Sequence, residues 1–319
     1  MKKILRGVCL IGLIALVATS CKKKEDAIVL QSTNEQMEVV AGEFDNGEKV
    51  QLNMDDNRLY FETGDLLTLF KINVDPTLSA CADFIPANTQ VDQTTWTPVD
   101  PNTHLPDAGD LYAFCPGGVN YVHQHLTNGN RATFTLPVVQ HYRENTCPKE
   151  GFYMASKLQE GQTSFYFRNI CGLLWLKVYS PNNRKVTEIQ VTDRAGHNLS
   201  GDVTLIINEV DPDELTWLYR NYDLNNTSYM QRLNEYVRRS GYSVENAGGL
   251  KLVCDEPVQV GTSSSTATNF FLTLRPLAFR QGFNIKVVCE GGYEFTQSTT
   301  RNNIIGPNVI KKMPAFNIR

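Results

Sequence analysis

Short runs in which apolar and polar residues alternate make up most of the chain after residue 46. β-Branched and aromatic residues are frequent in these runs, and Asn, Asp, Gly or Pro stand at their ends. This pattern is typical of half-buried β-strands joined by turns. It predicts strands at residues 49–53, 66–72, 132–136, 164–167, 173–179, 186–191, 203–207, 249–254, 269–274, 283–288 and 293–296. Many short strands with few helices between them indicate an all-β fold of antiparallel sandwiches.

One segment in the second half has helical spacing instead. Its apolar residues recur with a helical period, at positions 229, 230, 233, 236 and 237. Ser228 with Gln231 has the spacing of a capping box, and Gly241 is placed to end the helix. We predict a helical insertion near residues 212–240 that covers an edge or an end of a sheet.

The start of the chain has the pattern of an export signal. Three basic residues precede an apolar run at 7–18, which is too short to cross a bilayer as a helix. The run ends in small residues before Cys21, and this junction resembles a lipobox, where the sulfur is acylated and the chain is cut before the cysteine. We predict a signal peptide at 1–20, lipidation of Cys21 and a polar tether at 21–46 that holds the protein at a membrane.

Length and charge narrow the class of protein. The chain has 319 residues, of which 41% are hydrophobic, which is enough for packed cores in one large or two ordinary domains. The turn at 180–183 divides it into a predicted N-terminal sandwich at 47–181 and a C-terminal sandwich at 182–319. The net charge is −4 and no basic stripe lies outside the tether, so we expect no nucleic-acid partner.

Six cysteines follow Cys21, at positions 81, 115, 147, 171, 254 and 289. Export permits disulfides, but the spacings are long and contain no C-x-x-C pair. Cys115 with Cys147, or Cys254 with Cys289, are candidate bridges. Buried free thiols are the ordinary alternative for cysteines in apolar strands, and spacing alone leaves the choice open.

The chain contains none of the short catalytic motifs, such as G-x-S-x-G, H-E-x-x-H, a P-loop or a dinucleotide fingerprint. His123 and His125 share one face of a strand and could bind zinc together with His141. Acidic turns at 55–56 and 211–214 could ligate calcium, although they lack the spacing of an EF-hand loop. Exposed strand histidines and solvated turns are the simpler interpretations. We therefore expect a protein that is not an enzyme and that needs no metal or cofactor.

Aromatic side chains offer another possible ligand surface, because aromatic rings can stack on sugars. Most aromatic residues fill cores or fix loops instead. The residues in question are Trp96, Tyr112, Tyr121, Tyr142, Trp217 and Tyr219.

A succession of landmarks gives the chain a family resemblance. An aromatic precedes a Gly-Asp turn at 61–65, and Tyr-Ala-Phe-Cys-Pro ends a strand at 112–116. Pro-Val-Val-Gln follows at 137–140, and a Phe-led strand at 165–178. In order and spacing these landmarks are similar to the fimbrillin-like family, the lipoprotein pilus subunits of Bacteroidales. The second half matches more weakly, mainly at 271–276 and 309–318.

The resemblance implies a fold and a way of assembling. Members of the family have two transthyretin-like Greek-key β-sandwich domains in tandem. In those that polymerise, an arginine-specific protease removes the lipidated first strand, and the next subunit fills the groove with a donated strand. Here the removable strand would be 49–54, and Arg58 would be the cleavage site. The donor would be the C-terminal stretch, with alternate anchors Val309, Lys311, Met313, Phe316 and Ile318.

These observations predict a lipid-anchored protein of the outer membrane, exposed on the cell surface or in a fimbrium. Its role would be that of a fimbrial structural, anchor or adhesin subunit. Its partners would be other fimbrial subunits, bound by strand exchange, together with a surface protein or glycan of the host or of another bacterium. A permanently lipidated anchor would need no cleavage. The alternative function is glycan binding by a surface lipoprotein for nutrient capture.

Overall fold

A computed structural model describes residues 29–31, 38–41, 66–73, 80–88, 93–102, 105, 109–115, 117, 120–122, 131–145, 147–148, 151, 153–158, 165, 167–206, 214, 217–218, 221, 226–229, 231–232, 235, 243–245, 248–299, 303–307 and 309–319. The all-β sandwich fold predicted from the sequence is confirmed. The strands in chain order are β1 (Val29–Gln31), β2 (Glu38–Ala41), β3 (Leu67–Ile72), β4 (Ala80–Pro86), β5 (Gln93–Pro98), β6 (Asp110–Cys115), β7 (Asn120–Val122), β8 (Arg131–Leu136), β9 (Val139–His141), β10 (Met154–Lys157), β11 (Arg168–Asn169), β12 (Gly172–Tyr179), β13 (Lys185–Asp193), β14 (Gly201–Ile206), β15 (Ser243–Glu245), β16 (Leu250–Gln259), β17 (Thr268–Leu274), β18 (Leu277–Phe279), β19 (Phe283–Cys289), β20 (Tyr293–Ser298), β21 (Asn303–Ile305), β22 (Val309–Lys312) and β23 (Phe316–Asn317).

Four sheets contain nearly all of these strands. Sheet I has the order β15-β14-β8-β7, and sheet II has the order β1-β5-β4-β3-β6-β10-β11. Sheet III has the order β17-β12-β22-β2, with β23 also paired to β12, and sheet IV has the order β20-β19-β13-β16-β9. A short antiparallel pair, β18 with β21, completes the described strands.

Two sandwiches result, because sheets I and II enclose one apolar cluster and sheets III and IV enclose another. The first cluster includes Phe70 and Phe114 of sheet II and Phe134 and Val203 of sheet I. The second is larger and includes Leu174 of sheet III and many residues of sheet IV. A third cluster joins the sandwiches through the other face of sheet II and the strands β12, β17 and β22 of sheet III. Burial of apolar area on this scale is the main force that holds such sheets face to face.

Several ladders cross the predicted boundary between residues 181 and 182. β8 pairs with β14, β9 pairs with β16, and β12 pairs with β17 and β22. The division into domains at this turn stays a prediction, whereas the pairing of strands from both halves is a feature of the structure. β1 and β2 lie within residues 21–46, so two pieces of the predicted tether are paired strands.

Most predicted strands are confirmed, from the strand at 66–72 to the one at 293–296. The strand predicted at 49–53 lies outside the described residues. The strand predicted at 164–167 is wrong in its described part, because the ladder begins only at β11. Phe165 and Phe167 are instead buried in the cluster between sheets II and III. Their alternation came from packing against this cluster and not from strand pairing.

The helical segment is confirmed in its described residues, which are helical at 214, 217–218, 227–229, 231–232 and 235. Leu218 is buried in the cluster between sheets I and II, and Tyr229 packs against it. The helix thus covers apolar side chains of the first sandwich. Its predicted cap is wrong: Asn226 Oδ1 accepts a hydrogen bond from the Tyr229 N–H over 3.0 Å, and Ser228 already lies inside the helix.

Candidate strand-exchange site

The C-terminal stretch, predicted as a donor strand, is docked along β12 of its own chain. β22 runs parallel to β12, with Ile310 opposite Leu173 and Lys312 opposite Trp175. β23 continues along the same strand, with Phe316 opposite Val178. The chain therefore fills this position itself.

Backbone hydrogen bonds and apolar burial both hold the stretch in place. The Met313 N–H donates to the Trp175 carbonyl over 2.9 Å, and the Ile318 N–H donates to the Tyr179 carbonyl over 3.0 Å. Ser180 Oγ donates to the Ile318 carbonyl over 2.6 Å. Met313, Phe316 and Ile318 are buried between sheets III and IV. Leaving this position would therefore expose a row of core side chains.

The first two residues of the predicted donor set are buried as well. Val309 is 3% exposed and Lys311 is 5% exposed. Ile310, which was predicted to point the other way, is fully buried in the cluster shared with sheet II. β22 is thus covered on both faces, because sheet III separates two apolar clusters at this point.

β2 covers the remaining side of β22. The two strands are parallel, with Glu38 opposite Val309 and Ala41 opposite Lys312. Among the described strands, β2 is the last of sheet III in this direction, and β1 has the corresponding edge position in sheet II. Both strands precede Arg58 in the sequence. Arg58, the predicted removable strand 49–54 and Cys21 all lie outside the described residues.

The six cysteines after Cys21 are free thiols, so neither candidate bridge forms. Cys254 and Cys289 lie on β16 and β19, which flank β13 on opposite sides. Strands two places apart are separated by roughly 9–10 Å, beyond the reach of a disulfide. Burial raises the pKa of the Cys254 thiol to about 12, with a further contribution from Asp255. Such a thiol does not supply the thiolate that nucleophilic catalysis requires.

The candidate metal ligands do not converge in the described residues. No group of three or more metal-ligating side chains occurs in this part of the chain. His141 Nδ1 lies 2.7 Å from Asp255 Oδ1 on the surface, while His123, His125 and the turn at 55–56 lie outside the described residues. Of the acidic turn at 211–214, Glu214 is described, and it pairs with Arg232 over 3.4 Å.

The candidate stacking aromatics are mostly occupied in packing. Trp96 and Tyr112 are buried, and Tyr142 packs its ring 5.0 Å from that of Phe270. Trp217 is 49% exposed and lies under the Arg232 guanidinium, 5.3 Å from the ring centre. The side chains of Tyr121 and Tyr219 lie outside the described set. Of the candidate aromatics whose side chains are described, Trp217 alone is exposed.

Comparison with known proteins gives distant structural likenesses. No protein-family model and no curated protein matches the chain. A candidate cell adhesion protein from Bacteroides uniformis is similar with a TM-score of 0.45 and 14% identity, over 90% of this chain and 94% of that one. One from Bacteroides ovatus has a TM-score of 0.41 and 11% identity, over 85% and 88%.

The tip fimbrial protein Mfa3 from Porphyromonas gingivalis, truncated at its C-terminus, is similar with a TM-score of 0.29 and 8% identity. That likeness covers 73% of this chain and 75% of the other. Since these TM-scores lie below 0.5, the function is inferred from the chain's own strands and residues. Among the residues described, none of the helices is long and apolar enough to cross a membrane.

Proposed function

We propose that the chain is a surface subunit of a fimbrium, in a structural, anchor or adhesin role, and that it joins its neighbours by exchange of β-strands. The observation that carries this proposal is the position of β22. This C-terminal strand lies between β12 and an N-terminal edge strand, β2, which a single cut at Arg58 would separate from the rest of the chain.

Cleavage after Arg58 would affect both the donor strand and the position that accepts a strand. Removal of β2 would leave the outer edge of β22 without its hydrogen-bonding partner, and such an edge is readily refilled by another strand. β22 would also lose one of its two neighbours and would then be held by β12 alone. The same cut therefore loosens the donor, whose departure opens the acceptor position along β12.

The donor in this proposal is the stretch from Val309 to Ile318. When it leaves its own β12, the equivalent stretch of a neighbouring subunit can take its place, with the same backbone bonds and the same buried side chains. Each subunit would then give one strand and receive one, in the manner of β-strand addition. In the uncleaved chain the exchange should be slow, because a complete set of ladder bonds and core contacts must first break.

Anchoring to the outer membrane would come from acylation of Cys21. A Cys21→Ala substitution should move the protein from the membrane fraction to the soluble fraction after detergent partitioning. Partitioning that does not change on substitution would contradict lipidation at this residue.

The assembly itself is tested with an arginine-specific protease. Cleavage at Arg58, verified by N-terminal sequencing, should give ladders of SDS-resistant multimers, and the Arg58→Gln chain should give none. Deleting the C-terminal stretch is a poor control, because its side chains are part of the core.

A synthetic peptide of residues 308–319 is the better probe of the donor. Added in excess during cleavage, it should shorten the ladders by occupying the position along β12. The control peptide carries Met313→Pro and Ile318→Pro, which remove the two N–H groups that bond β12 and its extension. Cleaved protein that stays monomeric would show that the chain does not polymerise by itself.

A further inference from the structure

The second edge of sheet III is closed by a side chain and not by a strand. Among the described strands β17 forms this edge, and Gln140 of β9 is fully buried against it. The Gln140 amide donates from Nε2 to the Thr273 carbonyl over 2.6 Å, and its Oε1 accepts the Thr273 N–H over 2.9 Å. These two bonds reproduce those that a residue of a neighbouring antiparallel strand would make with Thr273.

The backbone of β9 belongs to the other sheet of the sandwich. β9 runs parallel to β16 of sheet IV, with Gln140 opposite Leu252. The Lys251 N–H donates to the Val138 carbonyl, and the Tyr142 N–H donates to the Val253 carbonyl, each over 2.8 Å. Sheet IV thus fixes the backbone of β9, and the buried Gln140 side chain of β9 forms hydrogen bonds with sheet III.

Two further contacts lie at the same edge. A Cβ atom added at Gly151 would stand 2.8 Å from Thr273 Cβ and 3.1 Å from Gln140 Nε2, so Gly151 packs directly on the pair. Two residues further along the same edge, the Arg275 N–H donates to the Leu199 carbonyl over 3.4 Å. Thr273 and Arg275 point the same way, because backbone groups alternate along a strand.

We propose that Gln140 is a latch that prevents the β17 edge of sheet III from accepting a strand, so that the sheet can be extended only at the β2 edge. Its role in assembly rests on the proposed function, in which a subunit that donates one strand and accepts one on the β22 side of sheet III grows head to tail. A second open edge would let two copies pair β17 with β17 in antiparallel fashion and end the growth. The latch also explains the Pro-x-x-Gln landmark: Pro137 ends β8, and Gln140 reaches β17 three residues later.

The test uses the uncleaved full-length chain with Gln140→Met, which keeps the side-chain volume and removes both hydrogen bonds. This variant should self-associate with rising concentration in sedimentation velocity. Hydrogen exchange at the Thr273 amide should quicken by roughly tenfold, the effect of losing one ordinary hydrogen bond. Gln190→Met, which changes a glutamine on β13 that bonds only Glu188, is the matched control and should stay monomeric.

Two further variants identify the edge that associates. Thr273→Pro, added to Gln140→Met, removes the outward N–H of β17 without breaking the ladder to β12, and it should restore the monomer.

Gln140→Glu keeps the shape of the side chain. A protonated carboxyl can donate and accept as the amide does, whereas a carboxylate would face the Thr273 carbonyl. Association of this variant should therefore be absent in acid and increase as the pH rises.

A folded Gln140→Met protein that remains monomeric, with Thr273 exchange unchanged, would overturn the latch. If that variant does not fold, pH-independent behaviour of the Gln140→Glu protein would overturn it instead. Failure of the latch leaves ladder formation after cleavage unaffected. Failure of the proposed function would appear as cleaved wild-type protein that stays monomeric while the latch variants still associate.

Discussion

The inner strands β3 and β12 of sheets II and III differ from β8 and β19 of sheets I and IV in how much of each strand is covered. β3 and β12 bury nearly every residue, because one face packs inside a sandwich and the other contributes to the cluster between the sandwiches. β8 and β19 alternate buried and partly exposed residues along their length. In this chain, therefore, a continuous apolar run indicates a strand that is covered on both faces. Alternation of apolar and polar residues indicates a strand with one face toward solvent.

The largest expected difference in the free energy of unfolding is between two Phe→Ala substitutions. One is on a strand of sheet III that is covered on both faces, and the other is on an edge strand of sheet IV. Phe271 of β17 is 2% exposed and packs 5.5 Å from the Trp175 ring. Phe271→Ala should lower the free energy of unfolding by about 3–5 kcal/mol in urea titrations. Phe295→Ala, on the edge strand β20, removes a partly buried ring and should cost about 1–2 kcal/mol. Equal losses would contradict the distinction between the sheets.

A matched pair of threonine-to-aspartate hydrogen bonds gives a finer test. Thr68 Oγ1 in sheet II donates to Asp83 over 2.6 Å and is buried, whereas Thr135 Oγ1 in sheet I donates to Asp202 over 2.8 Å and is exposed. Thr68→Val should cost about 1 kcal/mol of unfolding free energy. Thr135→Val should stay within about 0.5 kcal/mol of wild type. A larger loss at Thr135 than at Thr68 would contradict the prediction.

Thiol labelling compares the same regions without changing the sequence. Cys81 is exposed, and the other five described cysteines are buried. In native protein Cys81 alone among these six should react with a maleimide. Partial desolvation of the Cys81 thiol, with a further contribution from the neighbouring Asp83, raises its pKa. Its labelling should therefore quicken as the pH rises and the thiolate forms. Cys254, with a pKa of about 12, should stay unlabelled in mildly alkaline buffer. Mass spectrometry after unfolding in guanidinium should count all six thiols.

The smallest effect is expected on the solvent face of sheet IV. Lys286 Nζ pairs with Glu294 over 2.8 Å across β19 and β20, and both side chains are substantially exposed. Lys286→Ala should change the unfolding free energy by less than about 0.5 kcal/mol, and added salt should reduce even that. A loss comparable with that of Phe271→Ala would show that the outer face carries more of the stability than its burial indicates.

The long strands could be predicted from the sequence because their pattern extends over enough residues to show a period. β19 alternates along its length, and β12 reads as a continuous apolar run, so both stand out in the sequence. The short strands β1, β2, β7, β9 and β15 have three or four residues each. Such segments become strands because a neighbouring strand offers them an edge, and a single sequence does not show that neighbour.

The candidate sites could be predicted only in part, because they too depend on residues that are distant in the sequence. The Pro-x-x-Gln landmark was visible in the sequence, but the role of Gln140 depends on Thr273, which lies 133 residues away. The C-terminal stretch was predicted to bury alternate side chains, yet Ile310 is buried too, because sheet III separates two clusters there. The helix cap was missed because both Asn226 and Ser228 are good capping residues, and only the backbone decides between them.

The position of β22 also has a consequence for how the chain folds. Sheet III is built from segments at the beginning, the middle and the very end of the sequence: β2, β12 with β17, and β22 with β23. Its contacts are among the most non-local in the molecule, and such topologies fold slowly because long loops must close before any contact is gained. The sheet cannot be completed until residues 309–317 are available. A chain still emerging from a ribosome or a translocation channel would keep the apolar β12 partly open, and this strand is where we expect aggregation to begin when folding is delayed.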